Sequence, residues 1–227
     1  MTAVEWLRHA NADEVAERAV EAILELADSA IAARGRFRLV LAGGSTPERA
    51  YRRLAERRTD YTGWQFYLGD ERCLPADHPE RNSTMIQRSW LDRVAVAGQA
   101  VHWIPAELGP ERAASVYEET VRDALPFDVV LLGMGEDGHT ASLFPGQSHD
   151  PGRLVVPVTA APKPPPERVS LNYGALCAAR AVLVLVTGEG KREAVRRWRA
   201  GEALPVAQLR CRSGLRVLLD EAAWPDS

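Results

Sequence analysis

Asp137 and His139 stand two residues apart in Gly133-Met134-Gly135-Glu136-Asp137-Gly138-His139-Thr140-Ala141-Ser142-Leu143-Phe144-Pro145-Gly146. A carboxylate beside an imidazole can fix its tautomer and stabilise its cation, which makes a positioned general base. Gly133, Gly135 and Gly138 let the backbone take positive φ and approach a ligand closely. The run comes after Phe127–Leu132, a short apolar stretch that reads as a buried parallel strand. Loops at the carboxyl ends of such strands are where open α/β folds bind ligands. A tight turn of solvated polar residues has the same letters, so the run alone does not choose.

Two other corners could receive an anion. Gly43-Gly44-Ser45-Thr46-Pro47 comes after the strand candidate Phe37–Ala42 and precedes a helical pattern. Thr46 is predicted as its N-cap and Pro47 as its first helical residue. Unpaired N–H groups and the positive end of a helix dipole would then meet at one point, which suits a phosphate. The pattern is neither the Walker motif nor GxGxxG, and an ordinary capped turn would look alike. Thr187-Gly188-Glu189-Gly190-Lys191 repeats the design after Ala181–Val186. Lys191, predicted in the first turn of a helix, opposes the dipole by roughly 0.3–1 kcal/mol. An anion between them would offset that cost; a solvated lysine is the plainer alternative.

Asp70-Glu71-Arg72 comes after the strand candidate Trp64–Leu68. It is either a solvated salt-bridge knot or a site corner in which Arg72 forks onto a phosphate or carboxylate. Asn82 or Ser83 is predicted to cap a helix running through Met85, Ile86 and Leu91. Pro162–Arg168 is stiff and extended. It reads as a rigid connector that could also hold Arg168 over a site. His102, alone in the short strand Val101–Ile104, reads as structural.

The elements that must position these residues alternate. Asn11 and Glu14 form a capping-box pattern ahead of Val15, Ala19, Ala22, Ile23, Leu26 and Ala30 at helical spacing, with Gly35 as the stop. Gly109–Leu125 reads as a helix with Ala113, Val116, Tyr117, Thr120, Val121 and Ala124 along one face. The proline in Leu154–Val158 favours an edge strand. Leu215–Asp220 is the last strand. Strands alternating with helices predict an α/β fold, a mainly parallel, doubly wound sheet with helices on both faces. At 227 residues, one domain over 1–227 is expected.

The chain is 46% hydrophobic with a formal net charge of −3. It can bury a core and lacks the basic surplus of a nucleic-acid or anionic-membrane binder. Cys73, Cys177 and Cys211 are expected as reduced thiols, with Cys73 unreactive for want of a base motif. Met1–Trp6 lacks the basic and apolar regions of a signal peptide, and no apolar run approaches the ~20 residues that span a bilayer. A cytoplasmic location is therefore expected. Oligomeric state is open.

Over Leu41–Pro47, Asp70–Asn82, Gly133–Gly146, Pro164–Leu171 and Gly188–Lys191, nearly the whole chain resembles the 6-phosphogluconolactonase family. The resemblance implies a Rossmann-like domain related to glucosamine-6-phosphate deaminases. It implies no metal or organic cofactor, and a small sugar-phosphate lactone as substrate. It makes His139 the base that activates water, with Asp137 beside it. It puts Gly43, Gly44, Ser45, Arg72, Arg168 and Lys191 near the substrate phosphate. Asp70 and Asn82 fall on matching positions with roles left open. Arg81 stands before Asn82 where the family pattern has a small residue, which leaves the contact of Asn82 open. The deaminases carry a glutamate five residues after the histidine; here that position is Phe144, which favours the lactonase. The alternatives are an amino-sugar-phosphate deaminase or isomerase, and a sugar-phosphate sensor without turnover.

Overall fold

The computed structural model describes residues 3–57 and 59–225. Of the stretch read for a leader, Met1 and Thr2 lie outside the described residues. In chain order the elements are β1 (Val4–His9), α1 (Ala12–Arg34), β2 (Phe37–Leu41), α2 (Ser45–Glu56), β3 (Trp64–Leu68), β4 (Asp70–Arg72), α3 (Asn82–Ser89) and β5 (Val101–His102). Then come α4 (Pro110–Ala124), β6 (Phe127–Gly133), β7 (Val155–Val158), β8 (Arg168–Leu171), α5 (Tyr173–Cys177), β9 (Ala179–Val186), α6 (Arg192–Arg199) and β10 (Leu215–Asp220).

Seven strands form one parallel sheet in the order β1-β10-β9-β6-β2-β3-β5. From β2 the chain adds β3 and β5 on one side; from β6 it adds β9 and β10 on the other. The strand order therefore reverses between β2 and β6, where a crevice opens at the carboxyl ends of the strands. β6 is buried from Phe127 to Leu132. Side chains alternate between faces, so both faces of the sheet are covered there. A second sheet, β4-β8-β7, is antiparallel. β7 lies at its edge, as Pro157 suggests. This small sheet carries Asp70 and Arg72 to the crevice.

Local chemistry explains the first helix. Asn11 Oδ1 accepts the Glu14 N–H at 3.0 Å, and Gly35 closes the helix at φ 67 with its N–H on Ile31 O. Glu14 Oε2 reaches back to the Ala10 N–H at 2.9 Å, one residue earlier than a standard capping box.

Several expectations are corrected. α2 begins at Ser45 with Gly44 as N-cap, so Thr46 is not the cap and Pro47 is the third helical residue. Thr46 Oγ1 instead meets Thr187 Oγ1 at 2.6 Å, a tertiary bond that the Thr-Pro signal does not show. α3 has Arg81 at its N-cap without a side-chain cap, and ends at Ser89, short of Leu91. The capping carboxylate comes from Glu71, which accepts the N–H groups of Asn82 at 2.7 Å and Ser83 at 2.8 Å. The strand at 101 stops at His102, and Val116 on α4 is 45% exposed. β1 has no counterpart among the sequence expectations, because it is a partly exposed edge strand without a continuous apolar run. Cys177 and Cys211 are joined as a disulfide with Cα atoms 4.4 Å apart, not two reduced thiols. Only the fold brings the end of α5 beside the segment leading into β10.

Candidate active site

The cleft lies over the reversal between β2 and β6. Its β2 side is Gly43, Gly44, Ser45 and Thr46; its β6 side is Gly133, Gly135, His139 and Ala141. Asp70, Arg72 and Asn82 line it from the small sheet and α3, and Lys163, Thr187 and Lys191 complete it. Gly133 packs at the switch itself, where an added Cβ would stand 3.8 Å from Gly43 O.

The imidazole is held by its own loop. Asp137 Oδ1 lies 2.5 Å from His139 Nδ1 and accepts the His139 backbone N–H at 3.2 Å. Nδ1–H donation to the carboxylate leaves Nε2 as the unprotonated nitrogen. The ring folds back over Gly135, where a Cβ would fall 2.0 Å from Nδ1, so only glycine fits. Gly135 N–H donates to His139 O at 2.8 Å, and Thr140 Oγ1 donates to Gly133 O at 2.9 Å. Burial lowers the His139 pKa, against the opposing pull of Asp137 and Asp70. Burial tends to raise the Asp137 pKa, but the charge and hydrogen bonds of His139 outweigh it and hold it low. Phe144 lies against the imidazole, ring centroids 4.6 Å apart. The position of the deaminases' glutamate is thus occupied by an apolar wall.

Asp70 is nearly buried and fully engaged. Ser142 Oγ donates to its Oδ2 at 2.6 Å, and Asn82 Nδ2 donates to its Oδ1 at 3.1 Å and to its carbonyl at 3.0 Å. The Ser142 N–H in turn donates to Ser170 Oγ at 3.1 Å. The Asp70 carboxylate therefore ties the His139 loop, β4 and α3 together, and Ser142 carries the tie on to β8. Asn82 is also pressed against the first corner: a Cβ on Gly43 would stand 2.0 Å from its Oδ1. Arg81, the departure from the family pattern, is buried. It lies 3.4 Å from Glu71, and donates to Ile104 O at 3.0 Å and Glu107 Oε2 at 3.1 Å. It anchors the start of α3, so Asn82 still reaches the cleft.

The structure brings together Gly43, Gly44, Ser45, Asp70, Arg72, Asn82, His139 and Lys191 on one cleft. Arg72 donates to Glu80 O at 2.6 Å. Lys191 ends a tight turn over Glu189–Lys191, one residue ahead of α6, and burial lowers its pKa against the pull of Glu136. Asp137 stands behind the imidazole and does not line the cleft. Arg168 does not line it either; its guanidinium donates to backbone carbonyls of the proline run and lies 5.4 Å from the Phe144 ring centroid. Glu71, Ser142, Thr187 and Lys163 lie in runs singled out from the sequence, but none of them has a role there that matches its place in the fold. The polar run Thr140–Ser142 offered a signal for Ser142; the other contacts are tertiary. Cys73 is half-buried, with its pKa pushed up to about 11 by burial and Glu167. Among the described residues no group of three or more His, Cys, Asp or Glu could hold a metal ion, and no helix is long and apolar enough to cross a membrane.

A reversed-order parallel sheet with a carboxylate-backed imidazole and a glycine corner at its switch point defines a Rossmann-like α/β protein with a polar cleft. The family model described as glucosamine-6-phosphate isomerases/6-phosphogluconolactonase matches residues 10–218. The 6-phosphogluconolactonase of Streptomyces coelicolor is 37% identical over 95% of this chain and 91% of its own length. That of Nostoc sp. is 37% identical over 78% of each chain. The solved 6-phosphogluconolactonase of Thermotoga maritima superposes with TM-score 0.89 at 28% identity, over 96% of this chain and all of that one. The chain belongs to the glucosamine-6-phosphate isomerase/6-phosphogluconolactonase family.

Proposed function

We propose that the protein hydrolyses 6-phospho-D-glucono-1,5-lactone to 6-phosphogluconate, the lactone-opening step of the oxidative pentose phosphate pathway. The observation that carries the reading is the His139–Asp137 pair facing an apolar Phe144 on a cleft with an anion-receiving corner, in a chain whose relatives bear the lactonase name. The enzyme works as one α/β domain in the cytoplasm, without metal or organic cofactor.

The phosphate carries about −1.5 to −2 charges near neutrality. The Gly43–Ser45 corner, Arg72 and Lys191 bind that end, and Asp70 and Asn82 shape the wall beside it. Binding energy from this remote group orients the ring carbonyl. His139 Nε2 takes a proton from water as the oxygen bonds to the lactone carbonyl carbon. The tetrahedral oxyanion collapses, the bond to the ring oxygen breaks, and the imidazolium returns its proton to that oxygen. Asp137 keeps the tautomer and stabilises the imidazolium while it lasts.

The test is lactone hydrolysis corrected for spontaneous opening. His139→Asn should lower kcat by about 10²–10⁴-fold with little change in KM; unchanged kcat removes the imidazole from the chemistry. The base must be neutral, and burial favours the neutral form. The acid limb of kcat/KM should therefore lie below pH ~6.5, with activity held above it and lost as pH falls through it. Ammonia released from glucosamine 6-phosphate, with no lactone opening, would make the protein a deaminase instead.

A further inference from the structure

The strap between β7 and β8 carries Pro162, Lys163, Pro164, Pro165 and Pro166. Proline fixes φ near −65° and leaves little freedom to lose, so a side chain on such a strap is pre-organised. Two ties hold the strap to its base. The Ala161 N–H donates to Pro166 O at 3.0 Å. The buried Arg168 guanidinium donates through Nε to Pro165 O at 3.0 Å, and through Nη2 to Lys163 O at 2.8 Å and Pro164 O at 3.2 Å. One fork thus grips three successive carbonyls.

The strap presents Lys163 to the cleft, on the same wall system as Lys191 and His139. Lys163 makes no ion pair within 4 Å among the described residues. Its charge is felt by both neighbours: after burial, it helps to lower the pKa of Lys191 and adds to the lowering at His139. Two ammonium groups on one cleft repel each other, and a dianion between them turns that cost into a gain.

We propose that Lys163 is a phosphate-binding residue of the cleft, and that Arg168 is the positioning residue that holds the strap presenting it. The identity of the phosphorylated ligand rests on the lactonase reading above. Arg168 then acts on the ligand through Lys163: its donors grip the strap, and its guanidinium lies outside the cleft lining. The charge arrives from an exposed, single-side-chain contact on a rigid support.

A double-mutant cycle decides, read by calorimetric affinity for 6-phosphogluconate and for gluconate in wild type, Lys163→Met, Arg168→Lys and the double variant. Lys163→Met should weaken 6-phosphogluconate about tenfold to a hundredfold and leave gluconate within about twofold. Arg168→Lys should weaken 6-phosphogluconate in the wild-type background and add less than about twofold once Lys163 is gone. Lys163→Arg should restore most of the affinity. Unchanged 6-phosphogluconate affinity in Lys163→Met, or an equal loss of gluconate, overturns the proposal. An Arg168→Lys penalty of the same size in both backgrounds overturns the positioning role. If Arg168→Lys fails to fold, the Lys163 arm still decides, because that side chain is exposed. Wild type that leaves the lactone at its spontaneous rate would sink the hydrolase reading; normal turnover with an unaltered Lys163→Met would sink this proposal alone.

Discussion

After β2 the chain turns through Gly43–Pro47, and after β9 through Thr187–Lys191. Both corners leave the carboxyl end of a parallel strand, both line the cleft, and their threonine hydroxyls touch. Their pivot glycines have nearly the same backbone, φ 104 and ψ 162 at Gly44 and φ 94 and ψ 150 at Gly188, a region essentially confined to glycine. Beyond those glycines the two paths diverge. Ser45 enters an α-helix at once, so the first corner offers main-chain N–H groups and a helix dipole. The second corner spends its Gly188 N–H on Asp220 and inserts a tight turn before α6. That turn delivers a side chain, Lys191, in place of amides. One backbone design thus serves as a cradle in one place and as a pedestal in the other. The cradle depends on its surroundings far more than the pedestal does.

Gly43→Ala should break the cradle most severely. Its Cβ would fall 2.0 Å from Asn82 Oδ1, and Asn82 is buried and tied to Asp70. A loss of about 1–3 kcal/mol is expected from overpacking, with activity down more than tenfold as Asp70 and Asn82 shift. A variant that melts and turns over like wild type would mean the fit is loose. Lys191→Met should leave the melting temperature near that of wild type and weaken 6-phosphogluconate about tenfold, as titration would show. Unchanged affinity would leave the pedestal without a purpose. Gly190→Ala should matter least, within about 0.5 kcal/mol. Its nearest obstacle, at 3.1 Å, is the carboxylate tip of the exposed Glu136, which can swing away. A penalty matching that of Gly43→Ala would erase the contrast.

The strands that carry these corners were legible because strands buried on both faces are written as continuous apolar runs, as in Phe127–Leu132 and Ala181–Val186. Asn11, Glu14 and Gly35 were legible because a cap is local chemistry. The start of α2 was misread for the opposite reason: Thr46 looks like a cap, but its hydroxyl answers Thr187 from a distant strand. The cysteine pair, the Glu71 cap of α3 and the Ser142–Asp70 bond likewise join segments that only the fold brings together. His139 and Asp137 were readable from spacing alone, since two residues suffice for their contact. Arg168 shows the limit. Its sequence position reveals reach, but only the fold closes its fork on its own strap.

One edge of the sheet pairs strands far apart in sequence. β1 pairs with β10 from Val4 with Leu215 to His9 with Asp220, and among the described residues borders no other strand. The partner of β1 lies far along the chain, so this edge cannot close until residues 215–220 have been synthesised. A message truncated before residue 215 would forfeit two strands, not one. Because Asp220 also accepts the Gly188 amide, such a product would lose the seat of its lysine pedestal as well, so the sheet edge and the cleft would fail together.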